Sequence, residues 1–303
     1  MAEYPHLYGL FGLAVLSQIP LPELPEIPEQ GEADVRIRLG RIDAQPGAAP
    51  GLHINGDDAL LVIGRVGRFL IRSGREMIVE PDEGVLDRNL RLFLLGSAFA
   101  AILHQRSLLP LHANAVVVDG RAIGFMGHPG AGKSTLAAWF HDRGFDVLAD
   151  DVCVVTAGPD GRPLAHPGIP RLRLWREALE ASGRDASGFE RAFDNKDKFT
   201  VPTRRERLQT AVPLSHLYLL EKADDAQSVT RLQGAAAVEA LVANTYRGAY
   251  VPLMGLKRSH LLACADLART VPVFEARRRW GFEIIDSEGE ALEAHARTLI
   301  RDS

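Results

Sequence analysis

The sequence predicts an α/β protein with a smaller β-rich N-terminal part, and three observations carry that reading. Residues 1 to about 82 contain segments such as Ala33-Asp-Val-Arg-Ile-Arg-Leu39 that alternate polar and apolar side chains, the period of a strand with one buried face. From His112 the texture changes to short strand, glycine turn, helix and strand again, which builds an α/β layer. A glycine-rich loop at 127–134 stands between one such strand and a helix. The 303 residues are 46% hydrophobic and 24% charged, enough to bury a sizeable core and too apolar for disorder. With 35 Lys and Arg against 39 Asp and Glu, the net charge is −4, so no global attraction draws nucleic acid or anionic lipid. Cys153 and Cys264 alone cannot build a disulfide framework or a four-cysteine zinc site, and a reducing cytoplasm is the expected compartment.

Taken in order, the first apolar run, Leu7 to Leu16, is short and has no Lys or Arg before it, the first being Arg36; no secretory signal is expected. Ile19-Pro-Leu-Pro-Glu-Leu-Pro-Glu-Ile-Pro-Glu29 reads as an extended surface linker, because its prolines lack backbone donors and its acids repel. Between Glu83 and Gln105, Leu86, Leu90, Phe93, Leu94, Ala101 and Leu103 approximate helical spacing, giving a helix that joins the N-terminal sheet to the α/β part of the chain. Its most apolar part, Leu92 to Leu103, is too short to span a bilayer, so no membrane span is expected. The resulting division is 1–105 for the β-rich domain with its joining helix and 106–303 for the second domain.

In the second domain Asn114 to Val118 and Arg121 to Met126 read as strands joined at Asp119-Gly120. A helix runs from about Gly132 to Asp142, closed by Arg143-Gly144. Phe145 to Ala149 is a buried strand with Asp150 and Asp151 at its carboxyl end, where open α/β sheets bind ligands. Leu214 to Leu220 and Val271 to Arg277 read as further strands, Gly234 to Tyr246 and Ala291 to Ile300 as helices.

Gly127-His128-Pro129-Gly130-Ala131-Gly132-Lys133-Ser134 satisfies the phosphate-loop pattern G-x-x-x-x-G-K-[ST]. In a chain this long the pattern arises by chance about once in a hundred sequences on average residue usage. Backbone N–H groups and the positive helix end converge there on a phosphate. Lys133 would reach the β- and γ-phosphates and the Ser134 hydroxyl would ligate Mg²⁺; with Thr135 these residues form the candidate ATP-binding set. Phosphoryl transfer also needs acids, one for the metal and one for the proton of an attacking hydroxyl. Adjacent aspartates resist ionising together unless a cation is close, which suits Asp150 and Asp151 beside Mg²⁺. Only one helix and one strand separate them from Lys133.

Leu111-His-Ala-Asn-Ala-Val-Val-Val-Asp-Gly120, the loop 127–134 and Leu148-Ala-Asp-Asp151 together resemble the bacterial HPr kinase/phosphorylase catalytic domain, over about residues 108 to 175. The resemblance implies a P-loop HPr-kinase-like core with Asp151 as base toward a serine hydroxyl, Asp150 as its metal-side partner with Ser134, and His112 close to the active site. Two departures stand out: Thr135 occupies the place of a glutamate, and Pro167-Gly-Ile-Pro-Arg-Leu-Arg-Leu-Trp175 replaces an acid-Ile-Arg-Gly stretch. The pattern is closer to divergent members, among them kinases of lasso-peptide clusters that phosphorylate a precursor peptide on its terminal serine.

Arg171 or Arg173 could supply a cation to the transition state, or simply be strand-surface charges. Lys196 or Lys198, in the loop-like stretch Asp194 to Phe199, could fold onto phosphate or remain a solvated charge run. Arg204, Arg205 and Arg207, like Arg277 to Arg279, lack interleaved aromatics, so nucleic-acid binding is not expected. The function expected is a Mg·ATP-dependent kinase acting on a serine of a peptide or small protein. A nucleotide sensor without phosphotransfer and a small-molecule kinase are the alternatives.

Overall fold

A computed structural model describes residues 4–28, 31–43, 47–193, 196–203, 210–224 and 227–302. In chain order the elements begin with β1 (His6–Leu10), β2 (Leu13–Ser17), β3 (Val35–Leu39), β4 (Gly51–Asn55), β5 (Asp58–Ile63), β6 (Gly67–Arg72) and β7 (Glu76–Pro81). Next come α1 (Asp87–Phe93), α2 (Phe99–Gln105), β8 (Leu109–Leu111), β9 (Asn114–Val118), β10 (Arg121–Met126), α3 (Lys133–Asp142), β11 (Asp146–Ala149), β12 (Cys153–Ala157) and β13 (Pro163–His166). The remainder is β14 (Arg171–Trp175), α4 (Arg176–Ala181), β15 (Glu190–Phe193), β16 (Lys196–Pro202), β17 (Val212–Lys222), β18 (Ser228–Leu232), α5 (Ala235–Ala243), α6 (Tyr250–Leu253), α7 (Lys257–Thr270), β19 (Val273–Arg278) and α8 (Ile285–Arg301). The chain is thus mixed α/β with several sheets, and it divides into two compact units: Met1–Pro110 with Tyr246–His260, and Leu111–Thr245 with Leu261–Ser303. Among the described residues no helix is long and apolar enough to cross a membrane.

The first unit is a seven-stranded sheet in the order β1-β2-β3-β7-β6-β5-β4. Its buried face carries Val15, Val35, Ile37, Phe69, Ile71, Met77 and Val79, each fully enclosed. Phe99, Ile102 and Leu103 of α2 are equally enclosed, and α2 contacts β6. The joining helix is not uniform: a π-helical turn at Leu94–Ala98 separates α1 from α2, which shifts the apolar stripe between the two halves.

The proline segment corrects the sequence expectation. It is not a surface linker: Leu21 and Leu24 are buried, Gly9 N–H donates to the Pro25 carbonyl at 3.0 Å, and Ile27 N–H donates to that of Leu7 at 3.1 Å. The Tyr8 hydroxyl accepts the Leu21 N–H at 3.0 Å. Prolines cost nothing where no donor is required, so the segment lies along β1 while its leucines fill the core. Leu21→Ala should therefore destabilise the protein by about 2–5 kcal/mol, read from urea midpoints; an unchanged midpoint would restore the linker reading.

In the second unit the main sheet runs β11-β9-β10-β17-β13-β12, with β19 beside β17 and β18 beside β19. Strand β9 is antiparallel to both β10 and β11, while β17 is parallel to β10 and β19 is parallel to β17. Hence β11, β10, β17 and β19 run one way, and their carboxyl ends open along one edge. The β9–β10 turn places Asp119 at φ 47° and Gly120 at φ 76°, the left-handed pair a tight hairpin requires. Helix α3 buries Leu136, Ala137 and Phe140, with Phe140 stacked 5.6 Å from Phe125. Helix α8 seals the same layer through Leu292 and Ala296, and Asp286 accepts the Trp139 indole N–H at 2.8 Å. A separate three-stranded sheet, β14-β16-β15, stands beside this layer. Lys196 to Phe199, expected as loop, belongs to its central strand, because alternating Phe199 and Val201 are buried. Asp194 and Asn195, with Arg204, Arg205 and Arg207, lie outside the described residues.

Under α8 the His216 ring contacts the Tyr218 hydroxyl at 3.0 Å, and that hydroxyl contacts His295 Nδ1 at 2.7 Å. Burial, then His295, pushes the His216 pKa down from 6.5 to about 3. The unfolded chain takes up a proton near 6.5 that the folded one refuses, so this contribution to stability is complete above that pH and is lost as pH falls toward 3. Urea midpoints should fall from pH 7 to about pH 4, and His216→Gln should flatten the slope.

Candidate active site

The loop after β10 is shaped by glycines that no other residue replaces. Gly127 has φ 142°, and a Cβ there would lie 2.9 Å from the Leu220 carbonyl oxygen; Gly132, at φ 79°, starts α3 from the left-handed region. Gly130 is also at positive φ, at 90°. His128, Pro129 and Gly130 form an exposed tip, whereas Ala131 is buried, with its N–H donating to the His128 carbonyl at 3.0 Å. Ser134 and Thr135 lie in the first turn of α3. The Lys133 ammonium folds back over the loop, donating to the Gly127 carbonyl at 2.7 Å and to that of His128 at 3.2 Å. Burial lowers its pKa, with Asp151 and Asp150 opposing and Lys198 assisting.

Asp150 and Asp151 emerge from β11 on the same edge. Asp150 Oδ1 accepts the Ser134 hydroxyl at 3.2 Å and the Asn114 amide at 2.5 Å, and Oδ2 accepts the Arg173 backbone N–H at 2.8 Å. Asp151 holds a left-handed backbone, φ 68°, which costs a non-glycine residue free energy. Arg173 Nη1 donates to its Oδ2 at 3.2 Å. His112 Nδ1 lies 2.9 Å from the Asp151 carbonyl oxygen; since that oxygen can only accept, the ring carries its proton on Nδ1.

Electrostatics separate the two acids. Burial first, and then Asp151, raise the Asp150 pKa to about 6. Burial alone would raise Asp151 as well, but Lys198, Arg173, His112 and Arg171 outweigh it and hold the carboxyl below its usual value. The two adjacent carboxyls are thus shifted in opposite directions, Asp150 upward and Asp151 downward. Burial and the charge of Lys133 lower the His112 pKa, and its Nδ1–H holds the Asp151 backbone carbonyl.

Of the residues selected from sequence, the structure gathers Ser134, Asp150, Asp151, His112 and Arg173 by direct contact, and Lys133 and Lys198 by their charge. Lys198 Nζ also sits 5.9 Å above the Trp175 ring. Three residues escaped the sequence reading. Asn114, fully buried in β9, bridges Asp150 and, at 3.5 Å, Ser134; a lone amide in the apolar run Asn-Ala-Val-Val-Val was its signal. Asn244, at the end of α5, accepts the Gly127 N–H on its side chain at 2.9 Å and the His112 N–H on its carbonyl at 2.6 Å. Arg278, on β19 and almost fully buried, donates to the Ala131 carbonyl at 3.1 Å.

Ser134 and Asp150, with Asn114 Oδ1, which is buried and unpartnered among the described residues, offer oxygen donors of the kind Mg²⁺ takes. Among the described residues no group of three or more His, Cys, Asp or Glu could hold a metal ion.

No family model matches the chain, and no curated protein does. Among solved structures it is similar to the Hpr(Ser) kinase/phosphatase from Coxiella burnetii, at 13% identity and a TM-score of 0.32, over 64% of this chain and 94% of that one.

Proposed function

We propose that the protein is a Mg·ATP-dependent kinase that moves the γ-phosphoryl group to a serine hydroxyl of a peptide or small protein. The observation that carries this reading is the shared contact of Asp150 with Ser134 at the mouth of the phosphate loop, with the ionised Asp151 next in sequence. Lys133 exchanges its two loop carbonyls for phosphate oxygens. Ser134 and Asp150 would hold Mg²⁺, which when bound neutralises charge on the β- and γ-phosphates. Asp151 orients the acceptor hydroxyl and takes its proton as the oxygen bonds to phosphorus and the bond to the ADP oxygen breaks. Arg173, already paired with Asp151, supplies positive charge beside the group in transit. The departures at Thr135 and 167–175 favour the divergent peptide kinases, so a lasso-peptide precursor with a terminal serine is the first acceptor to test. Cys153 and Cys264 are buried and not joined in a disulfide, which suits a cytoplasmic enzyme.

The test is incubation with Mg·ATP and serine-bearing peptides, followed by intact-mass analysis. A phosphorylated peptide supports the kinase; nucleotide bound without product supports a sensor; product on a small metabolite instead supports a small-molecule kinase.

A further inference from the structure

A nucleotide held by its phosphates has a second end, the base, which the loop and the acids do not touch. Along the edge where β11, β10, β17 and β19 end, the acids stand at β11 and the phosphate loop comes directly after β10. On the far side of the loop, Lys222 closes β17 and Trp280 stands two residues beyond β19. The Trp280 ring centroid is 5.5 Å from that of His128 in the loop tip, their planes diverging by 39°, short of a closed stack. Lys222 Nζ lies 5.6 Å from the same ring. Trp280 is half-buried, and its indole N–H has no acceptor among the described residues, so no hydrogen bond pins the ring against adjustment.

Resting on the phosphate-loop reading, we infer that Trp280 is the stacking platform for the nucleobase, with His128 at its rim and Lys222 beside the sugar–phosphate. Strand order sets the direction of the bound nucleotide. Neighbouring strands are about 4.8 Å apart, so β19 lies about 10 Å from β10 on one side and β11 about as far on the other. A triphosphate whose outermost group faces Asp150 and Asp151 extends its nucleoside toward β19, while the acceptor hydroxyl must enter from the acid side. An aromatic face beside a cation at that place fits a flat, heteroaromatic base.

Titration calorimetry with Mg·ATP and Mg·tripolyphosphate separates the base from the phosphates. The wild type should bind ATP about tenfold more tightly than tripolyphosphate. Trp280→Ala should remove that advantage and leave tripolyphosphate affinity unchanged, and Trp280→Phe should retain most of it. Unchanged ATP affinity in Trp280→Ala, or an equal loss for both probes, overturns the inference, since the ring then merely props the loop. A wild type that binds both probes equally overturns the stacking site alone; one that binds neither overturns the phosphate-loop reading and this inference with it.

Discussion

Asp151→Asn should lose phosphoryl transfer by about 10²- to 10⁴-fold while still binding Mg·ATP. Asparagine tolerates the left-handed backbone at this position, where φ is 68°, so the carbonyl remains available to His112. The loop contacts of Lys133 and the Asp150–Ser134 pair do not involve the Asp151 side chain. What disappears is a carboxylate that three cations and His112 keep ionised; an amide cannot take a proton from the acceptor. A mass-resolved time course measures transfer and calorimetry measures binding. Full transfer by this variant would refute the base assignment.

Lys133→Ala should weaken binding and transfer together, with kcat/KM down by about a hundredfold or more. The ammonium is buried and answers two carbonyls of its own loop, which the proposed mechanism has it leave for phosphate oxygens. Its removal takes away a cation proposed to meet the transferring group and leaves those carbonyls without their donor. Thermal unfolding of the variant separates loop damage from loss of charge, because an intact fold with weak binding isolates the electrostatic part. An alanine variant that binds Mg·ATP as the wild type does would take Lys133 out of the phosphate site.

Much of the site was legible because its parts are local. The glycine spacing of 127–134, the Asp119-Gly120 turn and the acids after an apolar strand each declare themselves within a few residues. What escaped depends on partners far along the chain: Asn244 meets Gly127 from 117 residues away, and Arg278 meets Ala131 from 147. Periodicity holds no record of such pairs. The proline segment misled for a different reason. Proline removes a donor, which argues against a central strand but says nothing about whether Leu21 and Leu24 are buried. Lys196 to Phe199 was obscured by charge, since alternating lysines and acids hide the period-two placement of Phe199 and Val201.

The four strands that end together at one edge come from different distances along the polypeptide. Those bearing the phosphate loop and the acids are joined by a single helix, so the contact of Asp150 with Ser134 closes over 16 residues of chain at small entropic expense. Lys222 and Trp280 are brought in by much longer excursions. The Asp150–Ser134 contact can therefore take shape early in folding, whereas the ties of the loop to Asn244 and Arg278, like the opposite end, are completed only when α5 and β19 have docked.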